Sequence, residues 1–281
     1  MKHEFTPLIE EALKKSLPLK TLPPVEIHEA MHYAVLNGGK RFRPVLALSA
    51  CEAAGGNPKQ ALLPACAVEM IHSYSLVHDD LPALDNDELR RGLPTCHKKF
   101  GEALAILAGD ALLTRAFQIL GEVKPEETAL KLLRELAEAA GTQGMIGGQV
   151  MDILAARREE TSGLPDRGAW DAISKNKTGR LIEASAVMGA LAGNPSDADL
   201  KRIRRFGQAL GLAFQVVDDI MDSDGYLRLM NSEEARQKLK GLITQAKQEA
   251  ESFASKGRRL WQLADFLWTR AQDYVSVGLK D

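Results

Sequence analysis

The stretch HDDLPALDNDELRRG, His78 to Gly92, sets five acids, Asp79, Asp80, Asp85, Asp87 and Glu88, within ten positions, then adds Arg90 and Arg91. A charge run usually marks a solvated face. Here the segment leading into it, AVEMIHSYSLVH, is mostly apolar. A second junction of the same kind lies far along the chain, where GLAFQVVDDIMD ends an even more apolar run with Asp218, Asp219 and Asp222. Asp218 and Asp222 are four apart and share a helix face. Carboxylates this dense on apolar helices repel one another and lose hydration unless cations compensate. Two such clusters point to a divalent-cation site. All-oxygen ligands, without cysteines or paired histidines, suit Mg²⁺ over zinc or iron.

Mg²⁺ keeps waters and commonly joins a few carboxylates to substrate phosphates. Phosphate binders should therefore accompany it, and three basic groups qualify. Lys40, Arg41 and Arg43 sit in NGGKRFRP, where two glycines allow close backbone approach. Arg90 and Arg91 follow the first acidic cluster, and Lys177 lies in KNKTG. Arginine forks match phosphate oxygens in pairs. Each group alone is also ordinary surface charge. Together with the carboxylates they suggest a diphosphate held through Mg²⁺. His72 lies two helical turns before Asp79 on one face. It is either a diphosphate donor or a satisfied core histidine.

These residues must be carried by helices. The apolar positions Ala67, Met70, Ile71, Tyr74, Val77 and Leu81 recur at steps of three and four. The same period runs through EETALKLLRELAEAAG, AWDAISKNKTGRLIEASAVMGALAG and RRFGQALGLAFQVVDDIMD. No β-rich alternation is bounded by hairpin dipeptides. Short breaks at LPPVE, NGGKRFRP, AGGNPK, GEVKPEE, RREETSGLPDRG and AGNPSDAD are spaced like the connections of a helical bundle. The expectation is one all-α domain over residues 1–281, with amphipathic outer helices from Glu233 on. Pro82 should break the helix after Asp80 and let Asp85 return toward Asp79.

The chain of 281 residues supports a sizeable core, and 45% hydrophobic with 26% charged residues is ordinary for a folded soluble protein. A net charge of -2 argues against a general nucleic-acid or anionic-membrane binder. Cys51, Cys66 and Cys96 have no CxxC spacing and read as reduced thiols. MKHEFTPLIEEALKKS carries early acids and no apolar core, so it does not read as a signal peptide. No uncharged apolar run reaches membrane-spanning length. The expected location is cytoplasmic.

In the order of its blocks the sequence resembles the trans-isoprenyl diphosphate synthases of the short-chain bacterial and plastid type. NGGKRFRP resembles the family's first block. HDDLPALDNDELRRGLPTCHKKFGEALAILAGDALL resembles its first aspartate-rich motif with a two-residue insertion. GMIGGQVMD, KNKTGRLI and GLAFQVVDDIMD resemble later blocks, the last being the second aspartate-rich motif. The nearest likeness is to bacterial-type farnesyl diphosphate synthases. The resemblance implies mostly antiparallel helices around a deep central cavity, a homodimer, and three Mg²⁺ ions held with the allylic diphosphate. It makes Asp79, Asp85, Asp218 and Asp222 metal-site residues, with Asp80 and Asp219 in support. Arg90 and Lys177 would contact the allylic diphosphate, and Lys40, Arg43, His72 and Arg91 isopentenyl diphosphate. Thr178 and Gln215 would line the reacting carbons. Tyr74 and Ser75 would form the floor that limits product length, here at fifteen carbons.

One departure stands out. The family pattern has roughly twenty more residues after DDIMD, a long functional connection with a Gly-Lys. Here Asp224-Gly225 runs straight into Tyr226. Either a mobile lid is missing from the sequence as read, or the deletion is real and the protein is a weakened enzyme or a non-catalytic diphosphate-binding partner. The nearest enzymatic rival is a geranylgeranyl or longer-chain synthase. A terpene cyclase would replace the second motif with an Asn/Ser/Glu set, which Asp218, Asp219 and Asp222 do not match.

Overall fold

The computed structural model describes residues 3–278, except the side chains of 160–162, 273 and 275–278. Met1 and Lys2, the start of the segment read above as no signal peptide, lie outside them. Helices α1 (Thr6–Ser16), α2 (Val25–Leu36), α3 (Phe42–Ala53) and α4 (Leu62–Asp79) come first. A two-residue β-ladder follows, β1 (Leu89–Arg90) with β2 (Leu93–Pro94). Then come α5 (Cys96–Phe100), α6 (Glu102–Leu120), α7 (Glu126–Ala140), α8 (Met145–Ser162) and α9 (Arg167–Ser174). A π-helical turn, Lys175–Gly179, leads into α10 (Arg180–Ala192). The remainder is α11 (Asp197–Asp222), α12 (Tyr226–Leu229), α13 (Ser232–Glu251) and α14 (Arg258–Gly278).

The expected breaks all separate helices, although α8 runs on through RREETS before Gly163 ends it. The small ladder was not expected. It forms because Arg91, at φ 56, and Gly92, at φ 77, reverse the chain within two residues. Period alone cannot show a hairpin this short.

The centre is built from α3, α4, α10 and α11. From Val45 to Cys51, and from Ile182 to Ala190, essentially every side chain is buried. A helix apolar all round must be enclosed. Close approach of α10 to α3 requires Gly189, because a Cβ there would stand 1.9 Å from the Ala47 carbonyl oxygen. Helices α6 and α7 pack on α4 and α10, while α13 and α14 cover α11. The C-terminal helices are thus outer ones. Helix α6 is long and apolar enough by composition to cross a membrane. It nevertheless carries Glu102, Asp110 and Arg115, and Ala105, Ala108, Leu112 and Ala116 are buried in the bundle. The three cysteines are free and buried, and burial pushes their thiols up to about 11, 12 and 11. They stay protonated and unreactive.

Candidate active site

Helix α4 delivers Asp79 as its last residue and Asp80 as its C-cap. Beyond Pro82 the chain turns back, and the Asp85 N–H donates to the Asp79 carbonyl oxygen at 2.8 Å. Asp79 and Asp85 therefore stand together, as the proline break predicts. Burial is the main cause that pushes the Asp79 carboxyl up to about 6, and it also raises Asp85. Lys177 and Arg90 pull both down but do not offset the desolvation. Asp80 turns inward instead. It is buried and accepts from the Arg90 Nε at 2.6 Å, so it holds Arg90 in place. Arg90 also donates to Asp87 at 3.1 Å.

The second cluster divides in the same way. Asp218 is half-buried, and burial raises its pKa despite Arg270, Lys40 and Arg43 nearby. Arg270, from α14, reaches it at 3.3 Å. Asp222 is exposed at the end of α11. Asp219 is buried and fully engaged: it accepts from Gln215 Nε2 at 2.6 Å, Tyr226 N at 2.9 Å and Trp170 Nε1 at 3.2 Å. Gln215 Oε1 in turn accepts from the Thr178 hydroxyl at 2.7 Å. Thr178, Gln215 and Asp219 are one hydrogen-bonded chain joining the π-helical turn to α11. Lys177, in that same turn, donates to Asp152 of α8 at 2.6 Å. A π-helical turn widens the backbone and is frequent at functional sites.

A cavity of about 760 Å³ gathers the basic residues from distant parts of the chain. Lys40, Arg43, His72, Arg90, Arg91, Thr178 and Asp218 all line it. The Nε of Arg43 is buried with no hydrogen-bond partner, and its guanidinium lies 5.9 Å from the Phe214 ring centre. An orphaned buried donor on a cation calls for an anion. His72 is held well below the usual histidine range, first by burial and then by Arg43, Arg91 and Arg90. It enters the site as a neutral imidazole. Arg91 donates to the Gly38 carbonyl oxygen and so ties the first basic loop to the hairpin. Arg41, counted above among the phosphate binders, lies 2% exposed and spends its donors on Glu10, Glu69 and Val35.

Among the described residues no three acids, histidines or cysteines converge closely enough to hold a metal by themselves. The donor set still fits Mg²⁺, because Asp79, Asp85 and Asp218 are carboxylates whose charge burial disfavours. A hydrated ion shared with a diphosphate needs no complete protein cage.

Tyr74 and Ser75 do not line this cavity. Tyr74 is buried, its hydroxyl unpartnered, with its ring edge-on to His78 at 5.7 Å. Ser75 is four residues before Asp79 and three after His72, so it lies on the site face of α4.

Sequence reasoning missed Asp152, Glu69 and Arg270. Glu69 had a legible signal, a lone acid inside the apolar run AVEMIH. Arg270 had none, because its partner lies far back along the chain.

Residues 24–252 match the model of the polyprenyl synthetase family. The chain belongs to that family. It is 50% identical over 222 residues to the heterodimeric geranylgeranyl pyrophosphate synthase large subunit 1, chloroplastic, of Arabidopsis thaliana, covering 76% of this chain and 58% of that protein. It is 38% identical to the geranylgeranyl diphosphate synthase of Cyanophora paradoxa, covering 95% of each. The crystal structure of an FPP/GFPP synthase from Zymomonas mobilis superposes with a TM-score of 0.87 at 38% identity, covering 94% of this chain and 95% of that one. The chain thus spans little more than half the length of that Arabidopsis relative, and it shares the all-α fold of the solved family structures.

Proposed function

We propose that this synthase condenses isopentenyl diphosphate with an allylic diphosphate, using Mg²⁺, and carries the product to twenty-carbon geranylgeranyl diphosphate. The carrying observation is the single cavity that joins Lys40, Arg43, His72, Arg90 and Arg91 to Asp218. Bound Mg²⁺ would be held by Asp79, Asp85, Asp218 and Asp222 and would supply charge for the departing diphosphate. Arg90 and Lys177, held by Asp80 and Asp152, add cationic charge there. Lys40, Arg43, Arg91 and neutral His72 bind the diphosphate of the attacking partner. The hydroxyl of Thr178 and the amide of Gln215 fix the wall beside the reacting carbons. The apolar bundle keeps water from the allylic cation.

The twenty-carbon product is favoured by the likeness to geranylgeranyl diphosphate synthases and by α4 itself. The bulky Tyr74 packs toward His78, and the residue left on the site face below Asp79 is a small serine. Tyr74 also favours a second reading, a fifteen-carbon farnesyl product, if its ring caps the growing chain. Exposed Ile146, Val150 and Leu154 form a stripe along α8 that suits pairing with a second copy.

Incubating the protein with Mg²⁺, isopentenyl diphosphate and dimethylallyl, geranyl or farnesyl diphosphate tests the proposal through product length. A twenty-carbon product supports it. A fifteen-carbon product that is not extended moves the reading to farnesyl. Diphosphate binding without turnover moves it to a non-catalytic partner. Ser75→Phe should shorten the main product by one isoprene unit or more, since it fills the site face of α4. Tyr74→Ala should lengthen it under the farnesyl reading. Unchanged product lengths in both variants would discard this floor.

A further inference from the structure

Arg41 borders the cavity with Lys40 and the Arg43 of the first helical turn, yet its guanidinium is buried and turned to partners within the protein. Its backbone is left-handed, at φ 50, as the N-cap of α3. That conformation is costly for an arginine and persists only where the surroundings enforce it. The guanidinium enforces it. Nε donates to Glu10 Oε1 at 2.6 Å, Nη1 to Glu69 Oε1 at 2.8 Å, and Nη2 to Glu10 Oε2 at 3.2 Å and to the Val35 carbonyl oxygen at 2.8 Å. Four of the five donors of an arginine are thereby taken. The partners come from α1, α4 and the last turn of α2. One side chain ties three helices to the start of α3.

We propose that Arg41 is the positioning residue of the anion pocket, fixed by Glu10 and Glu69 so that Lys40 and Arg43 face the diphosphate. It is not itself a diphosphate ligand. The assignment rests on the diphosphate reading of the cavity. The reason is geometric. Gly38, at φ 84, and Gly39, at φ 128, leave the loop before Arg41 free to take many shapes. Arg41 is the buried anchor that selects one of them. Arg43, two residues on, then presents its unpartnered Nε to the cavity. Glu10 lies on α1, does not line the cavity, and carries charge of the sign that repels diphosphate. Its effect on binding therefore separates the two roles of Arg41 by sign.

The test is calorimetric binding of inorganic diphosphate and of isopentenyl diphosphate without turnover, in Glu10→Gln and Arg41→Lys variants of the full chain. A positioning role requires that Glu10→Gln weaken both by about tenfold, the usual cost of releasing the residue that orients a ligand. Tighter or unchanged binding in Glu10→Gln overturns the proposal, because removing a negative charge near a direct ligand should help an anion. Arg41→Lys keeps the charge and loses the fork, so it should weaken binding by on the order of a hundredfold; full binding there also overturns it. Allylic diphosphate binding, which uses Arg90 and Lys177, should hold. An equal loss at both sites marks general destabilisation and rejects a positioning role. Because binding is read without catalysis, absence of turnover would count against the proposed reaction and not against Arg41.

Discussion

Asp79→Asn should lower kcat/KM for prenyl transfer by on the order of a thousandfold, the scale seen when one preorganised charge-stabilising group is removed. The same variant should be more stable than its parent at neutral pH. Asp79 is charged in a place that disfavours charge: burial first, then Asp85 and Asp80, push its carboxyl up to about 6 from 3.8 against Lys177 and Arg90. The folded pKa lies above the unfolded one. Between those two values the native state holds a proton that the unfolded chain has released, so stability falls as pH rises through the window. Above it the penalty is complete. Thermal melts without Mg²⁺ should show a higher Tm for Asp79→Asn at about pH 7.5, with the gain vanishing near the unfolded pKa. Added Mg²⁺ and inorganic diphosphate should raise the parent's Tm by more than the variant's. A variant that loses both activity and stability would mean that Asp79 is structural.

That pairing of lost activity with gained stability is the physical content of an apolar helix ending in acids, and it was legible in the residues. HDDLPALDND showed charge in the wrong surroundings, and Pro82 showed where the chain must turn for Asp85 to meet Asp79. The helical period likewise placed α4 and α11, because a stripe of buried residues leaves a periodic trace. Position within a cluster left no such trace. Asp79 and Asp80 are neighbours, yet the first is joined to Asp85 through its backbone carbonyl and the second clamps Arg90 with its carboxylate. Asp218 and Asp219 divide the same way, and the second is saturated by Gln215, Trp170 and Tyr226. Lys40, Arg41 and Arg43 read as one basic group until the partners of Arg41 are seen. Which of two adjacent residues turns inward depends on groups supplied by other helices, such as Glu10, Asp152 and Arg270. No local pattern carries that information.

The connection after Asp222 shows the same dependence most sharply, and Gly225→Ala should expose it. Here the chain leaves α11 through Ser223, at φ 55, and Gly225, at φ 56, directly into α12. A Cβ on Gly225 would stand 2.1 Å from Asp219 Oδ2. The positive-φ backbone, at φ 56 and ψ -112, adds a further cost of about 1 kcal/mol or more for a residue with a side chain. To admit the methyl group, Asp219 must move, and its bonds to Tyr226, Gln215 and Trp170 go with it. An unpaired buried carboxylate or its lost partners cost about 1–3 kcal/mol. A total loss of about 2–4 kcal/mol is expected in urea denaturation. Function should fall too, since Gln215 also accepts from the Thr178 hydroxyl, which borders the cavity. Asp219→Asn keeps the packing and part of the hydrogen bonding, so it should lose less stability than Gly225→Ala. Helix α12 is pinned on its far side, where Arg228 pairs with Glu159 and Arg167 donates to the Leu229 carbonyl oxygen at 3.2 Å. With that end fixed, the strain of an added Cβ has only the Asp219 side to relax into. A Gly225→Ala chain as stable and active as its parent would show that α12 floats, and that this short connection does not set the second aspartate cluster.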